Sequence, residues 1–212
     1  MSTTDTADTT ALTVVRLNTI ALPSSLSGEA LAALSSEERA RAERMRAGGA
    51  EWAHARAALR RVLASECGVA PERIAFDHGT RGKPALAAGL EGALEFSASR
   101  SGSVAMIVTA RGRAVGVDVE RVRAGLSEDE LAEHYFDDAA RAELATLRSE
   151  HPERAFFRAW VRFEARAKAT GIGIVVESEG AATFCRECDA PTGFVAAIAA
   201  AGTAPFTIEV HS

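Results

Sequence analysis

Val115-Gly116-Val117-Asp118-Val119-Glu120 is an apolar run broken by two carboxylates two residues apart. In a strand, alternate side chains share a face, so the spacing predicts that Asp118 and Glu120 point one way while Val117 and Val119 point the other. Two like charges side by side fit two arrangements. One is an oxygen-lined site for a hard divalent cation such as Mg²⁺, which keeps some waters and takes further ligands from substrate phosphates. The other is a strand end carrying two solvated acids.

Working outward, Arg111-Gly112-Arg113 reads as a tight turn into this run, and residues 94–97 and 104–109 read as strands before it. Ser99-Arg100-Ser101-Gly102 between them is predicted to be a polar turn. Further upstream, residues 12–22 alternate as a strand ending at Pro23. Ser35-Ser36-Glu37-Glu38 supplies a serine cap and acids for a first helical turn, opening an arginine-rich helix to about Met45. From Glu51 to Cys67, Ala55, Ala58, Leu59, Val62 and Leu63 recur at helical spacing, with Arg56, Arg60 and Arg61 assigned to other, solvated faces. Residues 73–78 form a short candidate strand, and Gly79-Thr80-Arg81-Gly82-Lys83-Pro84 a turn that holds Lys83 at its tip. Downstream of Glu120, helices are predicted over 128–135, 138–147 and 152–170, the last closed by Gly171-Ile172-Gly173. Strands follow at 181–186, 193–199 and 206–210. The order strand, helices, strands therefore occurs twice, once on each side of about Gly112, which suggests a duplicated topology.

A chain of 212 residues with 47% apolar content can bury a core as one domain or two small ones. Its net charge of −5 excludes a general nucleic-acid binder, whose phosphate-tracking surface shows as a basic excess. No apolar run reaches membrane-spanning length, and the polar, threonine-rich start lacks the pattern of a secretion signal. The expectation is a soluble cytoplasmic protein, with no membrane partner. Cys185-Arg186-Glu187-Cys188 is a lone C-x-x-C without a second pair, so free thiols are expected rather than zinc. His54, His78, His134, His151 and His211 are scattered without ligand spacing.

The second informative stretch is 152–170. Phe156, Trp160, Phe163 and Ala167 make an apolar stripe, and Glu164 and Lys168 stand four apart on a neighbouring face. Alone, the pair reads as a surface salt bridge worth a few tenths of a kcal/mol, roughly 0.3–0.5. Packed beside the strand of Asp118 and Glu120, the helix would assemble three carboxylates and an ammonium, the set that holds Mg²⁺ on a diphosphate. Neither a P-loop nor a G-x-G-x-x-G fingerprint follows any strand, which leaves other phosphoryl enzymes unsupported.

Phe96-Ser97-Ala98-Ser99-Arg100-Ser101, the run from Val115 to Glu120, and Trp160-Val161-Arg162-Phe163-Glu164-Ala165-Arg166-Ala167-Lys168-Ala169-Thr170-Gly171 resemble the three ordered motifs of the 4'-phosphopantetheinyl transferases. The longer, single-chain, two-lobed type is the closer match. Gly82-Lys83-Pro84 resembles that family's G-K-P loop, and Ala55-Arg56-Ala57-Ala58-Leu59-Arg60 its N-terminal lobe. The resemblance implies an α+β fold of two similar lobes packed as a pseudo-dimer, with the active site at their junction. Residues 1–11 would be a flexible tail, 12–112 an N-terminal lobe on the coenzyme A side, and 113–212 a C-terminal lobe carrying metal and catalytic residues. The implied reaction moves the phosphopantetheine arm of coenzyme A to a serine of an apo acyl or peptidyl carrier protein, releasing adenosine 3',5'-bisphosphate. Such activity serves secondary-metabolite or fatty-acid assembly, and a monomer is implied.

By that carry-over, Asp118, Glu120 and Glu164 bind Mg²⁺, Glu164 takes the serine proton directly or through water, and Lys168 neutralises the leaving phosphate. Lys83, Ser99, Arg100, Arg41 and Arg56 match the family's coenzyme A contacts. Three positions depart from the family pattern: Ser97 stands for asparagine, Arg100 for histidine and Phe163 for lysine. A guanidinium grips a phosphate with two donors, so Arg100 is a workable exchange. Phe163, three residues from Trp160, is expected to join the buried stripe. The same departures motivate an alternative, a non-catalytic relative that binds coenzyme A or a carrier protein without transfer.

Overall fold

The computed structural model describes residues 12–78, 83–87, 89, 94–171 and 182–211. The tail assigned to 1–11, Gly82 of the G-K-P loop, Ile172-Gly173 and Ala181 lie outside them. Strand β1 (Thr13–Ala21) leads into α1 (Gly28–Ala32), α2 (Ser36–Arg44) and α3 (Gly49–Cys67). A single 3-10 turn at Pro71–Arg73 precedes β2 (Phe76–His78), β3 (Pro84–Leu86), β4 (Leu94–Ser101) and β5 (Val104–Arg111). The second half runs β6 (Val115–Arg121), α4 (Glu128–Tyr135), α5 (Asp138–Glu150), α6 (Ala155–Thr170), β7 (Thr183–Cys188), β8 (Phe194–Ala201) and β9 (Phe206–His211).

The two halves are built alike. In the first, β1 pairs antiparallel with β5 and β5 with β4; in the second, β6 pairs antiparallel with β8 and β8 with β7. Each half thus places its opening strand beside the last strand of a hairpin that follows its helices. The suggested duplication is this topology, an α+β fold of two similar sub-domains. Strand β9 then crosses back to lie parallel to β1, giving a four-stranded sheet β4-β5-β1-β9 beside the three-stranded sheet β6-β8-β7.

Side-chain alternation sorts the sheets into layers. Val15, Leu17, Met106 and Val108 of the first sheet meet Val115, Val117, Val119 and Ile198 of the second in a core between the sheets. The opposite face of the first sheet packs Phe96 and Ile107 on Leu59 and Leu63 of α3. The opposite face of the second packs Ala197 and Ala199 on Ala165 and Ala169 of α6. Helices therefore cover the outside of a two-sheet sandwich.

Where β4 meets β6, serine hydroxyls stand in for backbone pairing. Ser97 Oγ accepts from Val117 N at 3.1 Å, and Ser101 Oγ accepts from Arg121 N at 3.0 Å. Ser99 Oγ donates to Asp118 Oδ1 at 2.6 Å, and Ser101 Oγ donates to Glu120 Oε2 at 2.8 Å. The expected turn at Ser99–Ser101 is therefore strand, and the reversal falls at Gly102-Ser103. A serine-rich stretch looks turn-like from its composition, but these hydroxyls find partners that only the tertiary fold supplies.

The start of α2 carries the predicted cap as a full capping box: Glu38 N donates to Ser35 Oγ, and Ser35 N to Glu38 Oε2. The same carboxylate pairs with the Nε atoms of Arg56 and Arg60 on α3. Arg60, expected on a solvated face, is only 4% exposed; its Nη1 donates to the carbonyls of Pro71 and Ile74 at 2.9 and 2.7 Å. An arginine tolerates such burial when carboxylate and carbonyls satisfy its donors. Burial opposes the charge of Glu38, but Arg60, the Ser35 amide and Arg56 outweigh it and hold the carboxyl below the ordinary glutamate range. A depressed pKa stabilises the fold above the unfolded value of 4.5 and ceases to do so as pH falls through the folded value. Glu38→Gln is therefore expected to cost about 2 kcal/mol at pH 7. Urea denaturation should show the gap from the native protein narrowing below pH 4.

Candidate active site

Helix α6 sits against β6 because position 116 is glycine. A Cβ there would stand 2.1 Å from Ala165 O, 2.5 Å from Ala169 N and 2.9 Å from Lys168 Cβ. The approach sets the last two turns of α6 directly over the carboxylate face of β6. Gly171, in the left-handed region at φ 69°, closes the helix by donating to Ala167 O at 3.0 Å. No β-carbon penalty applies there.

The consequence is a cluster at the joint of the two sheets. Lys168 Nζ lies 2.6 Å from Asp118 Oδ1 and 3.3 Å from Glu164 Oε2, and donates to Ser99 Oγ at 3.3 Å. Glu164 and Lys168 are thus more than a surface pair. Asp118 is 2% exposed. Burial pushes its carboxyl up to about 6, with Lys168 pulling it down and Glu164 adding to the rise. Burial also works against the Lys168 charge, but Asp118 and Glu164 more than reverse this and raise its pKa.

This cluster opens onto a cavity of about 610 Å³. Trp52, Leu59, Phe96 and Ile107 give it apolar walls, while Arg56, Lys83, Ser99, Arg100, Glu164 and Lys168 supply its polar and charged lining. Lys83 donates to Val115 O at 3.0 Å, and burial lowers its pKa against the opposing charge of Glu95. The Arg56 guanidinium carbon lies over Phe76, 3.8 Å from the ring centroid. Arg41 is exposed and does not line the cavity; its guanidinium sits 4.9 Å from the ring of Trp52, which does.

Glu120 makes its side-chain bonds to other partners. Its Oε2 takes the Ser101 hydroxyl and, at 3.2 Å, Arg123 Nη1. Among the described residues, no three His, Cys, Asp or Glu side chains gather where one ion could bind them. Asp118 nevertheless has an oxygen to offer: Oδ2 is buried and without a hydrogen-bond partner. An orphaned buried carboxylate oxygen beside a second carboxylate fits the ligand preference of Mg²⁺. Asp118 and Glu164 thus fit such an ion.

Of the departures from the family pattern, Ser97 receives a β6 amide, Arg100 lines the cavity, and Phe163 is partly buried with its ring 5.2 Å from that of Phe136. The C-x-x-C thiols are free, and burial pushes Cys185 up to about 11 and Cys188 up to about 12, away from thiolate reactivity. Sequence reasoning missed Gly116 as the point of helix contact, Glu38 as the anchor of Arg56, and Ser101 with Arg123 as partners of Glu120. Only the capping pattern Ser35-x-x-Glu38 carried a local signal. No described helix is long and apolar enough to cross a membrane.

Residues 114–208 match the model of the 4'-phosphopantetheinyl transferase superfamily. The chain is 35% identical over 155 residues to the 4'-phosphopantetheinyl transferase HetI of Nostoc, covering 72% of this chain and 65% of that protein. It is 36% identical over 151 residues to the L-aminoadipate-semialdehyde dehydrogenase-phosphopantetheinyl transferase of Eremothecium gossypii, covering 68% and 54%. It is 35% identical over 123 residues to the 4'-phosphopantetheinyl transferase AcpT of Salmonella typhi, covering 58% and 59%. In each case the aligned part spans less than two thirds of the relative. Over this matched part the chain is similar to the 4'-phosphopantetheinyl transferase superfamily.

Proposed function

We propose that this protein transfers the 4'-phosphopantetheine arm of coenzyme A to a serine of an apo acyl or peptidyl carrier protein in a Mg²⁺-dependent reaction, releasing adenosine 3',5'-bisphosphate. The observation that carries the reading is the convergence of Asp118, Glu164 and Lys168 beside a large, apolar-walled cavity rimmed by cations. The apolar walls suit the pantetheine arm, and Lys83, Arg56 and Arg100 suit the phosphates. Asp118 and Glu164 would hold Mg²⁺, and Glu120 is the third carboxylate assigned to it. When bound, the ion supplies charge neutralisation on the diphosphate oxygens.

The remaining roles belong to the chain itself. Glu164 accepts the proton of the carrier serine as its oxygen attacks the β-phosphorus, and Lys168 stabilises charge on the departing phosphate. Ser99 and Lys168 share Asp118 Oδ1 and so fix the carboxylate that faces the reacting group. Walls such as Phe96 and Trp52 exclude water that would compete with the serine.

Incubation with an apo carrier protein, coenzyme A and Mg²⁺ is expected to raise the carrier's mass by one phosphopantetheine arm, stopped by EDTA. No mass gain, with coenzyme A still bound in calorimetry, would instead establish a binding relative that does not transfer.

A further inference from the structure

Glu38 contributes nothing to the lining of the cavity, yet both its oxygens are spent on arginines of α3, and one of these, Arg56, does line it. Three constraints converge on the Arg56 guanidinium. Its Nε is bonded to Glu38, its Cζ sits over the ring of Phe76, and Phe76 is held edge-on at 5.9 Å by Phe96, itself a wall of the cavity. Among the described residues its two terminal nitrogens carry no hydrogen bond, although the side chain is mostly buried. A guanidinium held through Nε and set against an aromatic ring, with no partner for its terminal donors among the described residues, suits a bidentate grip on a phosphate.

Glu38 is itself rigid. It closes the capping box with Ser35, and its second arginine, Arg60, is locked to two main-chain carbonyls. The start of α2 is thereby coupled to the cavity through one carboxylate. We infer that Glu38 is a positioning residue for the coenzyme A site, holding Arg56 in the pose that meets a phosphate of the ligand. This rests on the reading that the cavity takes coenzyme A.

The test is a double-mutant cycle on the full chain, with coenzyme A binding followed by calorimetry in the presence of Mg²⁺. Arg56→Gln and Glu38→Gln are each expected to weaken coenzyme A about 10-fold. The double variant should be no weaker than Arg56→Gln alone. Glu38→Asp, with its carboxylate withdrawn by one methylene, should fall between native and Gln and serves where Glu38→Gln is too unstable to titrate. In the transfer assay the loss should appear in KM for coenzyme A, leaving kcat and KM for the carrier protein within twofold. If Arg56→Gln weakens coenzyme A while Glu38→Gln does not, or if the two losses add, the positioning role is overturned. Should Arg56→Gln leave coenzyme A affinity unchanged, Arg56 has no part in binding and the inference falls with it. Loss of all coenzyme A binding by the native chain would instead overturn the functional reading beneath both.

Discussion

Glu164→Gln is expected to lower phosphopantetheine transfer by about two to four orders of magnitude, the usual contribution of a positioned general base. The two side chains have nearly the same shape, so the variant keeps the packing of α6 and the distance to Lys168, which is 3.3 Å in the native chain. What it loses is the ability to take a proton and the negative charge beside Asp118. Melting temperature should change little, because the Lys168–Asp118 contact at 2.6 Å remains. Coenzyme A binding without Mg²⁺ should be retained. A fully active Glu164→Gln protein would remove Glu164 from the proposed chemistry and leave Asp118 as the carboxylate to test next.

Gly116→Ala is expected to damage the fold itself. The added methyl would meet backbone atoms, Ala165 O at 2.1 Å and Ala169 N at 2.5 Å, and a backbone cannot rotate aside as a side chain can. Helix α6 must therefore retreat from β6, opening the alanine-rich contact of Ala165 and Ala169 with Ala197 and Ala199. Overpacking of this kind costs about 3 kcal/mol or more. Because Lys168 rides on the same turn, its reach to Asp118 is lost in the same movement. Urea denaturation should show the lower midpoint, and the transfer assay a loss beyond what residual folding explains. An alanine variant as stable as the native protein would mean that α6 does not approach β6 at this glycine.

Much of this arrangement is written locally. Asp118 and Glu120 alternate with valines, and the strand puts the acids on one face because its period is two. The end of α6 follows from Gly171, and the start of α2 from Ser35 and Glu38. What escapes a linear reading are groups whose partners are distant. Arg60 looks like a solvated arginine until a carboxylate 22 residues earlier and two carbonyls from the next turn satisfy it. Ser99 and Ser101 look like turn residues until β6 lies alongside. Glu120 has the spacing of a metal ligand, and the spacing gives no hint of its bonds to Ser101 and Arg123. Hydrogen-bond partners of polar side chains are tertiary facts, and alternation or capping signals do not encode them.

The return of β9 to β1, which pairs Thr13 with Phe206 and Asn18 with His211, bears on how the chain is made. A ribosome releases the N-terminal segments long before residue 206 emerges, so during synthesis β1 has an open outer edge with unsatisfied amides and carbonyls. Closure of that edge joins segments nearly 200 residues apart, an event with a large loop entropy to overcome. Chains stalled or cleaved ahead of β9 would leave the edge available to other strands, and aggregation of such fragments is the natural hazard of this topology.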